Sequence, residues 1–284
     1  MKAAAFDYVK PGSLSEALGL LAEAGEDARL IAGGQTLLAT LNMRLSEPSV
    51  LIDITNLPEL KGIRLEGEYL RIGALTTHTE IEDSALVAKH APLLAAAAPH
   101  IAHRAIRNMG TWGGSLSYGD PAAEWPACSL TLNATMIIQG PGGERKIAAK
   151  DFFIDLYTTS LEPDEILVAT DIPIAPAGQV LSFQELARRH GDYAVAGLAA
   201  VAQKSGDVLD QSVFTFFSVA ATPVTAMQVQ ALINGKKLND QLIAEAVALV
   251  RREIDTMADL TNSAEAKSHL IGVLLERALR KMIA

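Results

Sequence analysis

Two double-glycine segments, Ala32-Gly33-Gly34-Gln35-Thr36 and Thr111-Trp112-Gly113-Gly114-Ser115, set the strongest limit on this chain of 284 residues. Glycine lets a backbone adopt positive φ and lets another backbone or a ligand come close. The first pair stands where an apolar strand, Arg29-Leu30-Ile31, gives way to a helical pattern with Leu37, Leu38, Leu41 and Leu45 on one side. A helix that starts after such a turn aims free N–H groups at an anion. Thr36 and Ser115 add hydroxyl donors, so the two loops could hold the two phosphates of a dinucleotide from opposite sides. Neither loop is G-x-G-x-x-G, and no lysine follows as in a P-loop.

The surroundings divide the chain into three textures. Up to residue 55, a helix led by Ser13 and Glu16 (a capping-box pair) alternates with the strand at Arg29 and the continuous apolar strand Val50–Ile54, a small α/β unit. From 56 to 176, hairpin patterns at 63–73 and 134–148 and the strand Ile166–Ile172 enclose helical stretches at 77–90 and 92–107, which the glycine-rich stretch 110–119 interrupts. Asp120 before Pro121 reads as a helix N-cap with proline at the first position, which puts Glu124 one turn on, where a carboxylate could accept ribose hydroxyls. After the linker 174–178, the region 177–284 reads as antiparallel strands (181–186, 195–202, 213–219) followed by helices at 224–233, 240–252 and 264–282.

Composition excludes several classes. Lysine and arginine number 24 against 33 aspartates and glutamates, a net charge of −9, which cannot neutralise a phosphate backbone. Cys128 is the only cysteine, so this chain cannot ligate an iron–sulfur cluster by itself or build an intrachain disulfide. No apolar run reaches the ~20 residues of a spanning helix, and the reading is a soluble cytoplasmic protein. His100 and His103 have i, i+3 spacing, but Arg104 and Arg107 would repel a metal cation; those arginines are candidates to face phosphate or a partner subunit, and no metal site is expected. His78 and Cys128 read as packing residues.

The two loops, His78, the run Asp120-Pro121-Ala122-Ala123-Glu124 and the segment Arg188-Arg189-His190-Gly191-Asp192-Tyr193-Ala194, taken in order, resemble the FAD-binding medium subunit of molybdenum-containing hydroxylases, of the carbon monoxide dehydrogenase type, and the flavin domain of xanthine dehydrogenase. The resemblance covers the whole chain. It implies an α+β fold of the vanillyl-alcohol-oxidase, p-cresol-methylhydroxylase type, with two N-terminal subdomains (1–55 and 56–176) that bind FAD and a C-terminal domain (177–284) of antiparallel sheet and helices. Carried over by position, it implies that Ile31, Ala32, Gly33, Gly34, Gln35 and Thr36, with Thr111, Trp112, Gly113, Gly114 and Ser115, cradle the diphosphate and nearby ribityl atoms. It implies that Asp120 and Glu124 meet polar parts of FAD, that Ile101, Ile166 and Leu167 lie beside the cofactor, and that Tyr193 lies near the isoalloxazine. Gln184 stands where xanthine dehydrogenases carry lysine, and Trp112 replaces an aliphatic residue and is expected to wall off one side of the cofactor.

As activity, the resemblance implies an oxidoreductase subunit that passes electrons and contains no catalytic acid or base. A large chain would hold the molybdenum cofactor, a small chain two [2Fe–2S] clusters, and FAD here would pass electrons to a small-molecule acceptor, in a dimer of heterotrimers. The alternatives are a stand-alone FAD-dependent oxidoreductase of the same fold and a cofactor-free scaffold.

Overall fold

A computed structural model describes residues 2–284. The first layer is a three-stranded parallel sheet in the order β1-β3-β2, from β1 (Asp7–Val9), β2 (Ala28–Ile31) and β3 (Val50–Asp53). Helices α1 (Leu14–Ala24) and α2 (Leu37–Met43) join the strands. At α1, Ser13 Oγ accepts from the Glu16 N–H at 3.2 Å, but the Glu16 carboxylate reaches past Ser13 to the Gly12 N–H at 2.7 Å, so only half of the expected capping box forms. Ala17 and Leu21 of α1 are sealed against Ile52 and Ile54.

The second layer is a five-stranded antiparallel sheet, β4-β5-β10-β6-β7, from β4 (Ile63–Glu66), β5 (Tyr69–Gly73), β6 (Thr135–Gly140), β7 (Gly143–Ala148) and β10 (Ile166–Pro173); β8 (Phe153–Asp155) and β9 (Thr158–Thr159) form a separate hairpin. Between β5 and β6 run short helices rather than the two long ones the pattern predicts: α3 (His78–Glu82), α4 (Ala85–His90), α5 (Pro92–Ala97), α6 (Arg104–Arg107), α7 (Trp112–Tyr118) and α8 (Glu124–Thr131). Ser84 starts a new helix by accepting from the Val87 N–H, and Pro99 breaks the second stretch. The glycine-rich stretch is itself helical as α7, because the Thr111 hydroxyl caps it. Helix α9 (Ala149–Phe152) follows β7.

The third layer is the antiparallel sheet β11 (Gln179–Ala187), β12 (Ala194–Ser205), β13 (Val208–Phe217) and β14 (Val224–Thr225), with β15 (Lys236–Lys237) beside β13. Its helices are α10 (Met227–Ile233), α11 (Asp240–Glu253) and α12 (Ala264–Ile283); the helix predicted from 224 begins only at Met227. Strand β12 is buried on both faces. Ala199 and Val201 join the core of the second layer, while Leu198 and Ala200 join the core under α10–α12. Its alanines let both layers approach, and at Gly197 a Cβ would fall 2.0 Å from the Phe217 ring, which stacks on Phe183.

Candidate functional site

The two glycine loops meet. At Gly33 an added Cβ would lie 2.0 Å from the Met109 carbonyl oxygen and 2.8 Å from the Gly110 Cα, so only glycine lets this loop lie flush against the chain that enters the second one. At Gly114 an added Cβ would sit 3.9 Å from the Ala32 Cβ. Sequence spacing alone gave no measure of that distance.

Their roles differ. In the first loop, no hydrogen bond within the described residues uses the backbone N–H of Gly33, Gly34, Gln35 or Thr36, and all four residues are half-buried. The Gln35 amide turns back to the Gly33 carbonyl at 3.0 Å, and the Thr36 hydroxyl makes no cap bond to α2. Four free donors on one turn, next to the start of a helix, can bind an anion without a lysine. In the second loop the amides of Trp112 to Ser115 are all engaged. Trp112 N–H donates to the Thr76 carbonyl, Gly113 N–H to the Ala74 carbonyl, Gly114 N–H to the Thr111 hydroxyl and Ser115 N–H to the Thr111 carbonyl. The expectation of two amide cups is corrected to one cup and one supporting wall. The wall is rigid, since Gly113 would clash with Ala74 at 2.4 Å if it carried a Cβ.

Trp112 is fully buried, donates to Thr170 Oγ1 at 2.8 Å and packs on Trp125. It therefore belongs to the core and walls off no cleft. Ile166 and Leu167 are likewise sealed in the two N-terminal cores, and Ile101 is nearly so. Asp53, at the end of β3, lies opposite Ile31 in the sheet register, beside the start of the first loop. Burial works against its ionisation, but hydrogen bonds from Thr55 and Tyr8 outweigh this and hold the carboxyl at about 2; Lys10 lies 3.3 Å from it.

A second cluster lies past α7. The predicted cap at Asp120 does not form: its carboxylate accepts the Ala122 N–H at 2.9 Å in a turn, and α8 begins one turn later, with Ala123 as cap and Glu124 first in the helix. The Ser218 N–H donates to the Pro121 carbonyl, and its hydroxyl donates to the Ala194 carbonyl, which ties this turn to the strand that starts beside Tyr193. Buried Lys267 donates to the Ser218 carbonyl at 2.7 Å and pairs with Asp259 at 2.8 Å. Burial, then the charge of Glu185, raises Glu124 to about 8, and burial raises Glu185 to about 7. Glu185 Oε2 is sealed with no partner. Burial of its hydroxyl, then the charges of Asp120 and Glu124, raises Tyr193 to about 12, although 63 % of the residue is exposed. Tyr118 and Tyr157 stand 5.3 Å apart at the rim. Glu185, Tyr118 and Tyr157 were not singled out from sequence, because nothing local marks a strand carboxylate or a hairpin tyrosine as facing this turn.

Arg107 faces no ligand: it is buried, pairs with Glu82 at 2.8 Å and donates to the Ile101 carbonyl at 2.9 Å. Arg104 is spent on Glu82 and Asp83. His100 packs on Phe183, and His103 lies 6.0 Å from His190, ring to ring.

A row of free amides on the N-terminal layers, together with a polar and aromatic cluster that the third layer completes, suits an extended ligand with a diphosphate. Residues 4–175 match the family model described as the FAD binding domain in molybdopterin dehydrogenase, and residues 181–282 match the CO dehydrogenase flavoprotein C-terminal domain. The chain belongs to this flavoprotein family. It is 37 % identical over its whole length to the 6-hydroxypseudooxynicotine dehydrogenase complex subunit alpha of Paenarthrobacter nicotinovorans, covering 96 % of that protein. It is 36 % identical to the carbon monoxide dehydrogenase medium chain of Hydrogenophaga pseudoflava, over 96 % of each chain. Among solved structures, quinoline 2-oxidoreductase from Pseudomonas putida 86 superposes with a TM-score of 0.95 at 37 % identity, covering 100 % of this chain and 98 % of that one. As an FAD-binding domain followed by the flavoprotein C-terminal domain, the fold is thus the mixed helix-and-sheet fold of these medium subunits. Among the described residues, no helix is long and apolar enough to cross a membrane.

Proposed function

We propose that this chain is the FAD-carrying electron-transfer subunit of a molybdenum-containing dehydrogenase, taking electrons from [2Fe–2S] clusters of a small partner chain, supplied in turn by a molybdenum cofactor in a large one, and passing them to a small-molecule acceptor. The observation that carries the reading is the row of four free amides at Gly33–Thr36 on a loop seated against Met109 and Gly110. Amides there bind a diphosphate through fixed dipoles, which suits a chain with a net charge of −9. The Thr36 and Ser115 hydroxyls are placed to add donors, and Thr111 to Gly114 keep the facing wall still. Asp120 and Glu124 would take polar atoms further along the cofactor, with Ile101, Ile166 and Leu167 supplying the apolar backing. Tyr193 offers an exposed ring to stack and a phenol that stays protonated.

FAD, when bound, supplies the exchange of electrons between one-electron iron–sulfur centres and a two-electron acceptor. The chain's part is to hold it, fix its orientation and set the electrostatics around it. The lone cysteine, Cys128, is buried, so cluster ligands must come from another chain. The likeness to a nicotine 6-hydroxylase medium subunit and a carbon monoxide dehydrogenase medium chain, over nearly their whole length, supports assembly with a large and a small subunit; a dimer of heterotrimers in the cytoplasm is the arrangement we propose.

The test is purification of the chain from its native source with whatever co-purifies. One FAD per chain, with molybdenum and iron in the same particle, is the expected result. A flavin-loaded monomer that turns over a substrate alone would replace this reading with a stand-alone oxidoreductase, and a chain with no flavin in any form would refute both.

A further inference from the structure

His78, the first residue of α3, has a buried imidazole that the reading above leaves unused; only 6 % of the residue is exposed. Its Nδ1 accepts from the Trp125 indole N–H at 3.0 Å. An indole nitrogen can only donate, so Nδ1 is bare and the proton sits on Nε2. Trp125 is fully buried and packed on Trp112, so it holds that tautomer. Burial, and then the charge of Arg107, keeps the ring neutral, with a pKa lowered to about 4.

The Nε2–H makes no hydrogen bond within the described residues, yet it is not among the polar atoms sealed from solvent without a partner. It is therefore a free donor at an opening. The opening borders the cup: a Cβ at Gly110 would fall 2.7 Å from Nε2, and Gly110 with Met109 is the backbone on which Gly33 rests. The His78 N–H also donates to the Gly110 carbonyl at 3.0 Å, which fixes the ring's base to the same stretch of backbone.

We infer that His78 is a further cofactor-binding residue, donating from Nε2 to a diphosphate oxygen of FAD beside Gly110, and that Trp125 is its positioning residue. The inference rests on the reading that FAD lies in the Gly33 cup. A neutral donor suits this place, because the cup's amides already offset part of the diphosphate charge and Arg107 adds a positive charge that acts on the ring.

The experiment uses the full chain, with any subunits that co-purify, stripped of flavin and titrated with FAD. Uniform ¹⁵N-histidine labelling follows the ring nitrogens. The wild type is expected to show one histidine fixed in the Nε2–H form, whose Nε2 resonance shifts when FAD is added. His78→Phe is expected to weaken FAD binding at least tenfold. Trp125→Phe is expected to weaken it several-fold while the His78 signals move toward a mixture of tautomers, a change that loose packing alone would not give. Should His78→Phe fail to fold, the ¹⁵N shift and Trp125→Phe decide. A wild type that binds FAD with unmoved His78 resonances, or unchanged affinity in His78→Phe, overturns this inference alone. A wild type that takes up no FAD overturns the cup reading and this inference with it.

Discussion

Replacing Gly33 by alanine tests the cup most directly. The new Cβ would lie 2.0 Å from the Met109 carbonyl oxygen, 2.7 Å from its carbon and 2.8 Å from the Gly110 Cα. All three atoms are backbone, so no side chain can swing away, and the loops must part by about 1 Å to reach ordinary contact. Overpacking of this kind costs about 1–3 kcal/mol, which lowers the melting temperature by several degrees for a chain of this size. Binding should suffer more than stability. The free amides of Gly33 to Thr36 lie on one turn, and in the cup reading a shift of that size costs at least one hydrogen bond to a charged group, about 1.5–3 kcal/mol or roughly a ten- to hundredfold rise in the FAD dissociation constant. Flavin fluorescence titration reads the affinity, and far-UV circular dichroism with thermal melting confirms the fold. Gly19→Ala is the control: it lies in α1 with nothing within 4 Å of its Cβ, and should leave binding unchanged and stability equal or slightly higher. A Gly33→Ala protein that melts lower but binds FAD as tightly as the wild type would refute the cup.

Further outcomes follow from the same geometry. Glu124, at about 8 when folded against a carboxylate's ordinary 4.5, binds a proton that the unfolded chain has released; flavin-free protein therefore loses stability as pH rises from about 5 through 8, on the order of 3 kcal/mol, and denaturant melts of Glu124→Gln should show a flatter pH profile. Arg107→Ala leaves the Ile101 carbonyl without its donor and half-buried Glu82 with Arg104 alone, and should cost about 1–3 kcal/mol in chemical denaturation, whereas an Arg107 serving only a ligand would leave the flavin-free protein's stability unchanged. Tyr193→Ala should alter the absorption envelope and quenching of bound FAD while the melting temperature moves by less than about 1 kcal/mol equivalent, since the ring is 63 % exposed; an unchanged flavin spectrum would remove Tyr193 from the ring's surroundings.

The local elements were largely legible in the sequence, and so was the family. Apolar alternation marked the hairpin at β4–β5, an apolar run with the turn Pro141-Gly142-Gly143 marked β6–β7, and the run of small apolar residues marked β12. Helix limits between 77 and 131 were not legible, because capping by Ser84, Thr111 and Ala123 is decided by which backbone groups remain free after packing. The two Gly-Gly pairs looked equivalent as strings. Their difference lies in tertiary partners: the Thr76 and Ala74 carbonyls take the amides of Trp112 and Gly113, Thr111 takes those of Gly114 and Ser115, and no protein group takes those of Gly33 to Thr36.

Residue type and spacing thus settled what each segment could do: glycines that permit close approach, a solitary cysteine that forbids a cluster, an ordered set of motifs that names the family. Tertiary packing settled which of those capacities remain available to a ligand. It withdrew the indole of Trp112 and the guanidinium of Arg107 into the interior, brought Glu185 to Glu124, and left the Nε2 proton of His78 free. Hydrogen-bonding groups are satisfied by whatever neighbour folding brings, and that neighbour is set by the three-dimensional register of distant strands rather than by local sequence.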